Sequence, residues 1–154
     1  MALVFPVSPT VNDVHTAGAL SWRWDGVKWV SEGGAVSGAD TATITSEALA
    51  AGDLVNIWNS GGAKARKADA TTAGKEAHGF VLAAFGSGVP AAVYFEGTNT
   101  AVTGLTPGPQ FLNTTAGAAS STAPSGSGNV VQRVGVAVSA TAFNFQLNSP
   151  IVLA

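Results

Sequence analysis

Apolar side chains along this chain alternate with polar ones in short runs, and Gly-rich turn signals separate the runs. Residues 54–58 lead into an Asn-Ser-Gly-Gly turn, and residues 79–85 lead through Gly-Ser-Gly into residues 91–96. A period of two is typical of half-buried strands, and short strands that recur at intervals of about 8–12 residues are typical of barrels and sandwiches. Helix signals are almost missing. The pattern therefore predicts an all-β protein built on a small antiparallel barrel or sandwich.

The same pattern places further strands at both ends of this region. Residues 130–138 and 141–147 are predicted as closing strands. Residues 40–45 alternate Thr with Ala or Ile and are a candidate strand within a connector at 32–45 that is rich in Gly, Ala and Ser. The predicted organisation is an N-terminal extended arm and Trp-rich hairpin at 1–31, the connector at 32–45, and the barrel or sandwich domain at 46–154.

Three of the four tryptophans surround one Asp-Gly pair. Asp-Gly is a favoured pair for a two-residue type I′ turn, so the sequence predicts a tight hairpin at this point. In the predicted register Trp24 faces Val27 and Trp22 faces Trp29, which places all four side chains on one face. An isolated two-stranded hairpin is only marginally stable in water. The aromatic face must therefore be covered by the rest of the domain, by a second copy or by a partner.

Composition favours a protein that assembles with other chains. Hydrophobic residues make up 46% of the sequence and charged residues 10%, whereas a typical soluble domain has about 25% charged residues. A surface rich in Ala, Gly, Ser and Thr is easier to desolvate against a neighbour than one covered in Lys and Glu. The net charge of -2 provides no field that would draw the chain to nucleic acid or to an anionic membrane. We expect neither of these partners.

Candidate catalytic chemistry is sparse. Cysteine is absent, which removes disulfides and thiolate nucleophiles and suits folding in a reducing cytosol. His15 and His78 are far apart in sequence and have no ligand cluster beside them, so no metal or cofactor is expected. No Ser lies in a Gly-x-Ser-x-Gly motif. Nine acidic residues leave paired-carboxylate chemistry open, although most of them lie beside turns, and we predict that the protein is not an enzyme.

Six different short motifs follow one another along residues 49–154. They are Gly-Asp-Leu-Val at 52–55, Lys-Ala-Arg-Lys-Ala-Asp-Ala at 64–70, Gly-Phe-Val-Leu-Ala-Ala at 79–84, Val-Tyr-Phe-Glu-Gly at 93–97, Gly-Leu-Thr-Pro-Gly at 104–108 and Val-Gln-Arg-Val-Gly-Val-Ala at 131–137. This series resembles a module of tailed-bacteriophage virion proteins, among them capsid decoration (cement) and head-fibre proteins. It covers about two thirds of the chain. The N-terminal Phe-Pro and Trp hairpin is similar to a short unit of phage tail and fibre proteins.

The resemblance implies a structural role in a virion. A decoration protein binds the outer capsid surface between capsomers and stabilises the shell, so the implied partners are the major capsid protein and further copies of this chain, as a homotrimer. The implied location is the capsid surface, after synthesis in the host cytoplasm. A tail or fibre adaptor is the alternative, with the Trp hairpin as a carbohydrate-stacking platform.

Contact residues are predicted in the arm, in the hairpin and in the only local basic run. The arm contributes apolar side chains that suit a strand or groove contact with a shell protein, unless they pack into the protein's own core. The tryptophans form either a contact surface or a small core, and the basic run is either a salt-sensitive contact or a solvated strand. The candidate capsid or subunit contacts are Leu3, Val4, Phe5, Trp22, Trp24, Trp29, Lys64, Arg66 and Lys67.

Overall fold

The computed structural model describes residues 5–17, 20–24, 26–32 and 39–154. The chain divides into two compact units, Met1–Ser37 and Gly38–Ala154. Across the described ranges the regular elements are strands and none is a helix, so the predicted all-β class is confirmed.

The first unit is a three-stranded antiparallel sheet. Its strands are β1 (Val14–Ala17), β2 (Leu20–Trp24) and β3 (Trp29–Glu32), in the order β1-β2-β3. The two strands of the predicted Trp hairpin are β2 and β3. The sequence analysis did not predict β1, whose His15 lies opposite Trp22 on β2. A third strand gives the hairpin the additional pairing that an isolated two-stranded unit lacks.

The predicted register of the Trp hairpin is wrong. Trp24 lies opposite Trp29, and Trp22 lies opposite Ser31, so four residues rather than two separate the strands. The longer loop brings two indole rings together, with centroids 5.6 Å apart, and leaves Val27 in the loop with 83% of its surface exposed. The predicted register also contains one indole pair, Trp22 with Trp29, so the observed register keeps such a pair and moves it next to the loop. Because each partner moves by two positions, strand alternation still places the three tryptophans on one face.

The second unit contains twelve strands. They are β4 (Ala39–Thr45), β5 (Leu54–Asn59), β6 (Ala63–Lys67), β7 (Gly79–Phe80), β8 (Pro90–Tyr94), β9 (Gly97–Asn99), β10 (Gly108–Leu112), β11 (Ala119–Ser120), β12 (Val130–Val131), β13 (Arg133–Ser139), β14 (Ala142–Phe145) and β15 (Ile151–Val152).

Five of these strands close into a barrel in the order β4-β6-β5-β7-β8. The chain reverses between β4 and β5, and the hairpin after β5 returns β6 in the direction of β4, so that β4 and β6 pair in parallel. The other barrel pairs are antiparallel. The barrel is therefore mixed: four of its five pairs have the predicted antiparallel direction, and the β4–β6 pair is parallel. Its first strand, β4, lies within the segment interpreted as a connector.

A five-stranded antiparallel sheet in the order β11-β10-β13-β14-β9 forms a second layer in the same unit. Phe143 and Phe145 of β14 pack with Leu54 and Phe80 of the barrel in one buried cluster. A separate cluster is formed by barrel-region residues alone, centred on Val55 and on further aliphatic side chains. The strands β12 and β15 form a small two-stranded sheet. The first cluster therefore joins the barrel to the second layer, and the second cluster is the core of the barrel itself.

Candidate functional site

The predicted contact residues fall in two places. Phe5 and the three tryptophans lie in the first unit, and the basic run lies on β6 of the barrel. Leu3 and Val4 lie outside the described residues. The two places belong to different compact units.

Five rings form what we call the aromatic cluster: Phe5, His15, Trp22, Trp24 and Trp29. The Phe5 ring stacks on Trp29 at 5.3 Å between centroids and 17° between planes, and it meets Trp22 edge to face at 5.3 Å. The His15 ring lies 6.3 Å from Trp22 and 6.0 Å from Trp29. These offset and edge-on geometries are those that aromatic quadrupoles favour. The cluster is a packed assembly of rings and not a set of separate side chains.

All five rings of the aromatic cluster are half-buried. A unit as small as Met1–Ser37 has too little chain to enclose so many large rings. The rings therefore serve as the core of the first unit and at the same time present apolar surface to the solvent. The two interpretations of the tryptophans, small core and contact surface, are compatible in this arrangement.

A turn at residues 10–13, just before β1, directs the N-terminal arm back toward the sheet of its own unit. The backbone N–H of Thr10 donates to Asp13 Oδ2 at 2.8 Å, and the Thr10 hydroxyl donates to Oδ1 at 2.7 Å. The side-chain and backbone hydrogen bonds from Thr10 lower the pKa of the Asp13 carboxyl. Asn12, two residues before β1, has φ of 75°, a left-handed conformation that Asn tolerates. Phe5 consequently packs on the sheet of its own unit.

The sequence analysis missed two features of the aromatic cluster. It treated His15 as an ordinary structural residue and did not predict that β1 pairs with β2. The available signal was alternation: pairing across β1 and β2 places His15 directly opposite Trp22. The segment Val14–Ala17 is only 4 residues long, which is too short for a periodic pattern to stand out.

Arg66, the central residue of the basic run, is occupied by contacts within the barrel. Its Nε donates to Asn56 Oδ1 at 2.9 Å and its Nη2 donates to the Gly74 carbonyl at 2.6 Å. Its guanidinium carbon lies 4.5 Å from the centre of the Trp58 ring, a cation–π distance. These contacts fix the guanidinium against the barrel wall.

The flanking lysines differ from each other. Lys67 Nζ lies 3.3 Å from Asp53 Oδ2 and forms an ion pair with it. Lys64 is half-buried, and among the described residues it forms no ion pair. The three residues of the basic run therefore do not act as one patch of free cations, because Arg66 and Lys67 each contact groups of their own unit.

A groove of about 400 Å³ lies elsewhere on the second unit, lined by residues that include Glu76, His78, Gln132 and Leu147. Gln132 Oε1 accepts the backbone N–H of Ala77 at 2.8 Å, and its Nε2 donates to the Ala77 carbonyl at 2.9 Å. His78 Nδ1 accepts a backbone N–H at 3.0 Å. Gln132 Nε2 also donates to the Asn148 carbonyl at 3.1 Å. These hydrogen bonds connect residues 77 and 78 to the barrel strand β5 and to the segment that follows β14, so the polar groups of the groove have structural partners.

Among the described residues, no group of three or more His, Cys, Asp or Glu side chains is placed to hold a metal ion. Over the same ranges, no helix has the length and hydropathy of a membrane span. Comparison with known proteins gives no match: no family model, curated protein or solved structure matches the chain. Among the described residues, the aromatic cluster is the strongest candidate contact site, because its five rings are packed together and remain half-buried.

Proposed function

We propose that the chain is a non-enzymatic capsid decoration (cement) protein of a tailed bacteriophage. In this proposal it binds the outer surface of the capsid between capsomers as a homotrimer, with the major capsid protein as its partner, and stabilises the shell. The observation that carries the proposal is the aromatic cluster, five half-buried rings on a small unit that is separate from the barrel unit.

The division of the chain supports a role in holding other proteins together. The barrel unit has a core of its own, in which Phe80 and Phe143 are almost completely buried. It does not need the first unit to complete that core. The first unit retains apolar ring surface that is not enclosed, and burial of such surface against a partner contributes about 25 cal/mol for each Å² removed from water.

The positions of the motifs also support the proposal. The segment 52–55 enters β5, the segment 64–70 contains most of β6, and the segment 131–137 contains most of β13. The resemblance to phage virion proteins thus lies in the strands that build the barrel and the second layer. A homotrimer adds to this, because linked weak contacts tighten binding by about 10²–10⁴ through effective concentration.

The test uses heads of the phage that encodes the chain, prepared without it. Purified protein is mixed with these heads, and co-sedimentation and the temperature of head disruption are measured. We expect binding in a fixed copy number and a higher disruption temperature. Trp29→Ser should weaken binding, whereas Val7→Ser, at a residue of the same unit that is 92% exposed and lies outside the aromatic cluster, should not. Wild-type protein that stays in the supernatant would refute the proposal.

A tail or fibre adaptor that binds carbohydrate is the second candidate. The half-buried indole rings favour it, because sugars stack on exposed aromatic faces. Phe5 already covers one face of Trp29, which leaves Trp22 and Trp24 as the better platform. A glycan array with Trp22→Ala as control separates the two candidates: specific binding that this variant loses favours the adaptor, and an empty array opposes it.

A further inference from the structure

The second layer of the barrel unit has one face that packs on the barrel and one that does not. Leu112, Phe143 and Phe145 point to the barrel and are buried. Strand alternation places the residues between them on the opposite side. We call that side the outer face. It includes Thr98, Pro109, Phe111, Arg133, Val136 and Asn144.

Strand pairing confirms that these residues share a side. Pro109 lies opposite Val136, Val136 opposite Asn144, and Asn144 opposite Thr98, so the four form one row across the sheet. The neighbouring row pairs Gln110 with a glycine of β13, and Gln110 is completely buried. Thr98, Pro109 and Asn144 are exposed. The outer face is therefore a real sheet surface that no described strand covers.

The segment that contains all strands of the second layer carries almost no charge. Residues 97–154 contain one charged side chain, that of Arg133, although the whole chain has 7 Lys and Arg and 9 Asp and Glu. The solvated face of an antiparallel sheet is normally polar, and soluble surfaces are usually about a quarter to a third charged. The outer face instead combines exposed uncharged residues and a single exposed cation, Arg133, with the half-buried side chains of Phe111 and Val136.

We propose that the outer face is the surface through which copies of this chain bind one another. Near a symmetry axis each side chain meets its own copies, so any charge there would face a like charge. The row of Pro109, Val136, Asn144 and Thr98 carries no charge and avoids that repulsion. The one charge of the outer face, that of Arg133, lies outside this row, opposite Phe111. A partner of different sequence would be selected by charge complementarity, for which this face offers only Arg133. The proposal deepens the self-association part of the proposed function and rests on that part alone, since it does not require capsid binding.

Asn144 offers a clean test of the outer face. It is exposed, and its Oδ1 accepts the Thr98 hydroxyl at 2.7 Å. Asn144→Asp keeps the shape and the acceptor and adds one negative charge, and Asn144→Lys adds a positive one. Asn59 is the matched control, since it is also exposed and its Oδ1 accepts the Gly62 N–H at 3.1 Å in a barrel turn.

Sedimentation velocity of the full chain over a dilution series measures self-association. Either Asn144 variant alone should raise the dissociation constant at least about tenfold, because copies then place like charges together. The corresponding Asn59 variants should match the wild type. An equimolar mixture of Asn144→Asp and Asn144→Lys should recover association, because opposite charges then meet. Circular dichroism checks that each variant is folded.

Three results would overturn the inference. They are a wild-type chain that is monomeric throughout the series, Asn144 variants that associate like the wild type, and a mixture that fails to recover. Co-sedimentation with heads is measured in parallel. The wild-type chain could be monomeric and still bind heads. If Asn144→Lys then abolished this binding, the outer face would contact the shell instead of a second copy. If the chain associates through the outer face but does not bind heads, the capsid proposal is refuted and the inference about the outer face stands.

Discussion

The first unit and the barrel unit place their aromatic side chains differently. In the first unit the rings of Trp22, Trp24 and Trp29 pack on one another and remain half-buried. In the barrel unit Phe80 and Phe143 are 1% and 0% exposed. Both units are built mainly from antiparallel pairs, so the difference follows from the amount of chain available to cover a ring.

Size determines whether an aromatic residue is core or surface. The fraction of surface that a chain buries rises with its length, and the barrel unit has a second layer that closes over the barrel. In the described part of the first unit there is one sheet, of three strands. Stability should therefore be concentrated in the barrel unit, and the capacity to bind apolar partners in the first unit. Substitutions test this contrast.

The largest effect is expected from Gly135→Ala in the barrel unit. Gly135 has φ of 147°, and a Cβ at this position would lie 1.9 Å from the carbonyl oxygen of Asn144 on the paired strand β14. A side chain there would separate β13 from β14, so we expect a loss above about 4 kcal/mol or failure to fold. Urea denaturation measures the loss.

Gly86→Ala is the matched control for this substitution. No atom lies within 4 Å of a Cβ built at Gly86. Its substitution should change the free energy of unfolding by less than about 0.5 kcal/mol. Equal effects of the two substitutions would contradict the close approach of β13 and β14.

Phe143→Ala should have the next largest effect. The side chain is completely buried between the barrel and the second layer. Truncation of a buried Phe leaves a cavity and costs about 3–5 kcal/mol. Thermal unfolding followed by near-UV circular dichroism measures the change. A loss below about 1 kcal/mol would show that the second layer does not depend on this ring.

Trp29→Ala in the first unit should cost less, about 1 kcal/mol, because a half-buried ring removes less apolar surface from water than a fully buried one. The Trp29 ring also loses its stacking with Phe5. We expect a low-temperature transition of the first unit to shift while the main transition of the barrel unit stays in place. Differential scanning calorimetry resolves the two, and a shift of the main transition would contradict the independence of the units.

Local patterns predicted much of the fold, and long-range pairing accounts for the rest. Alternation predicted the strand at 40–45, the closing strands β13 and β14, and the shared face of the tryptophans. The parallel pairing of β4 with β6 depends on barrel closure between segments with no common turn, and no local signal reports it. The predicted hairpin register is wrong because it relied on the two-residue turn that Asp-Gly favours, whereas four residues separate Trp24 from its partner Trp29.

In the candidate site, too, local patterns predicted some features and long-range pairing determines the others. Phe5 and the three tryptophans were identified from composition and alternation, and they do lie together. The place of His15 among them depends on β1, which is too short to predict. The hydrogen bonds of Arg66 to Asn56 and Gly74 depend on the folded barrel. The basic run in the sequence therefore could not predict that the Arg66 guanidinium already has partners in its own unit.

The smallest change in the free energy of unfolding is expected on acidification. It should again differ between the two units. Burial raises the pKa of Asp69, but hydrogen bonds from Thr71 and the contact with Lys75 outweigh it, so the pKa lies below its usual value. Lys75 Nζ lies 3.0 Å from Asp69 Oδ2. A lowered pKa means that the folded state binds the proton less readily than the unfolded state does. The stabilisation is therefore present above about pH 4, the unfolded value, and is lost as the pH falls through the folded value.

The free energy of unfolding measured between about pH 2 and pH 5 should accordingly fall less steeply in Asp69→Asn than in the wild type. Asp13→Asn is the matched control in the first unit. The pKa of Asp13 is lowered too, by Thr10, but this carboxylate is exposed, and solvent screening reduces its effect. Since Asp69 is 7% exposed and bonded to two neighbours, its substitution should change the slope more. A larger change for Asp13→Asn would mean that the acid response belongs to the first unit, which would reverse the expected distribution of stability between the two units.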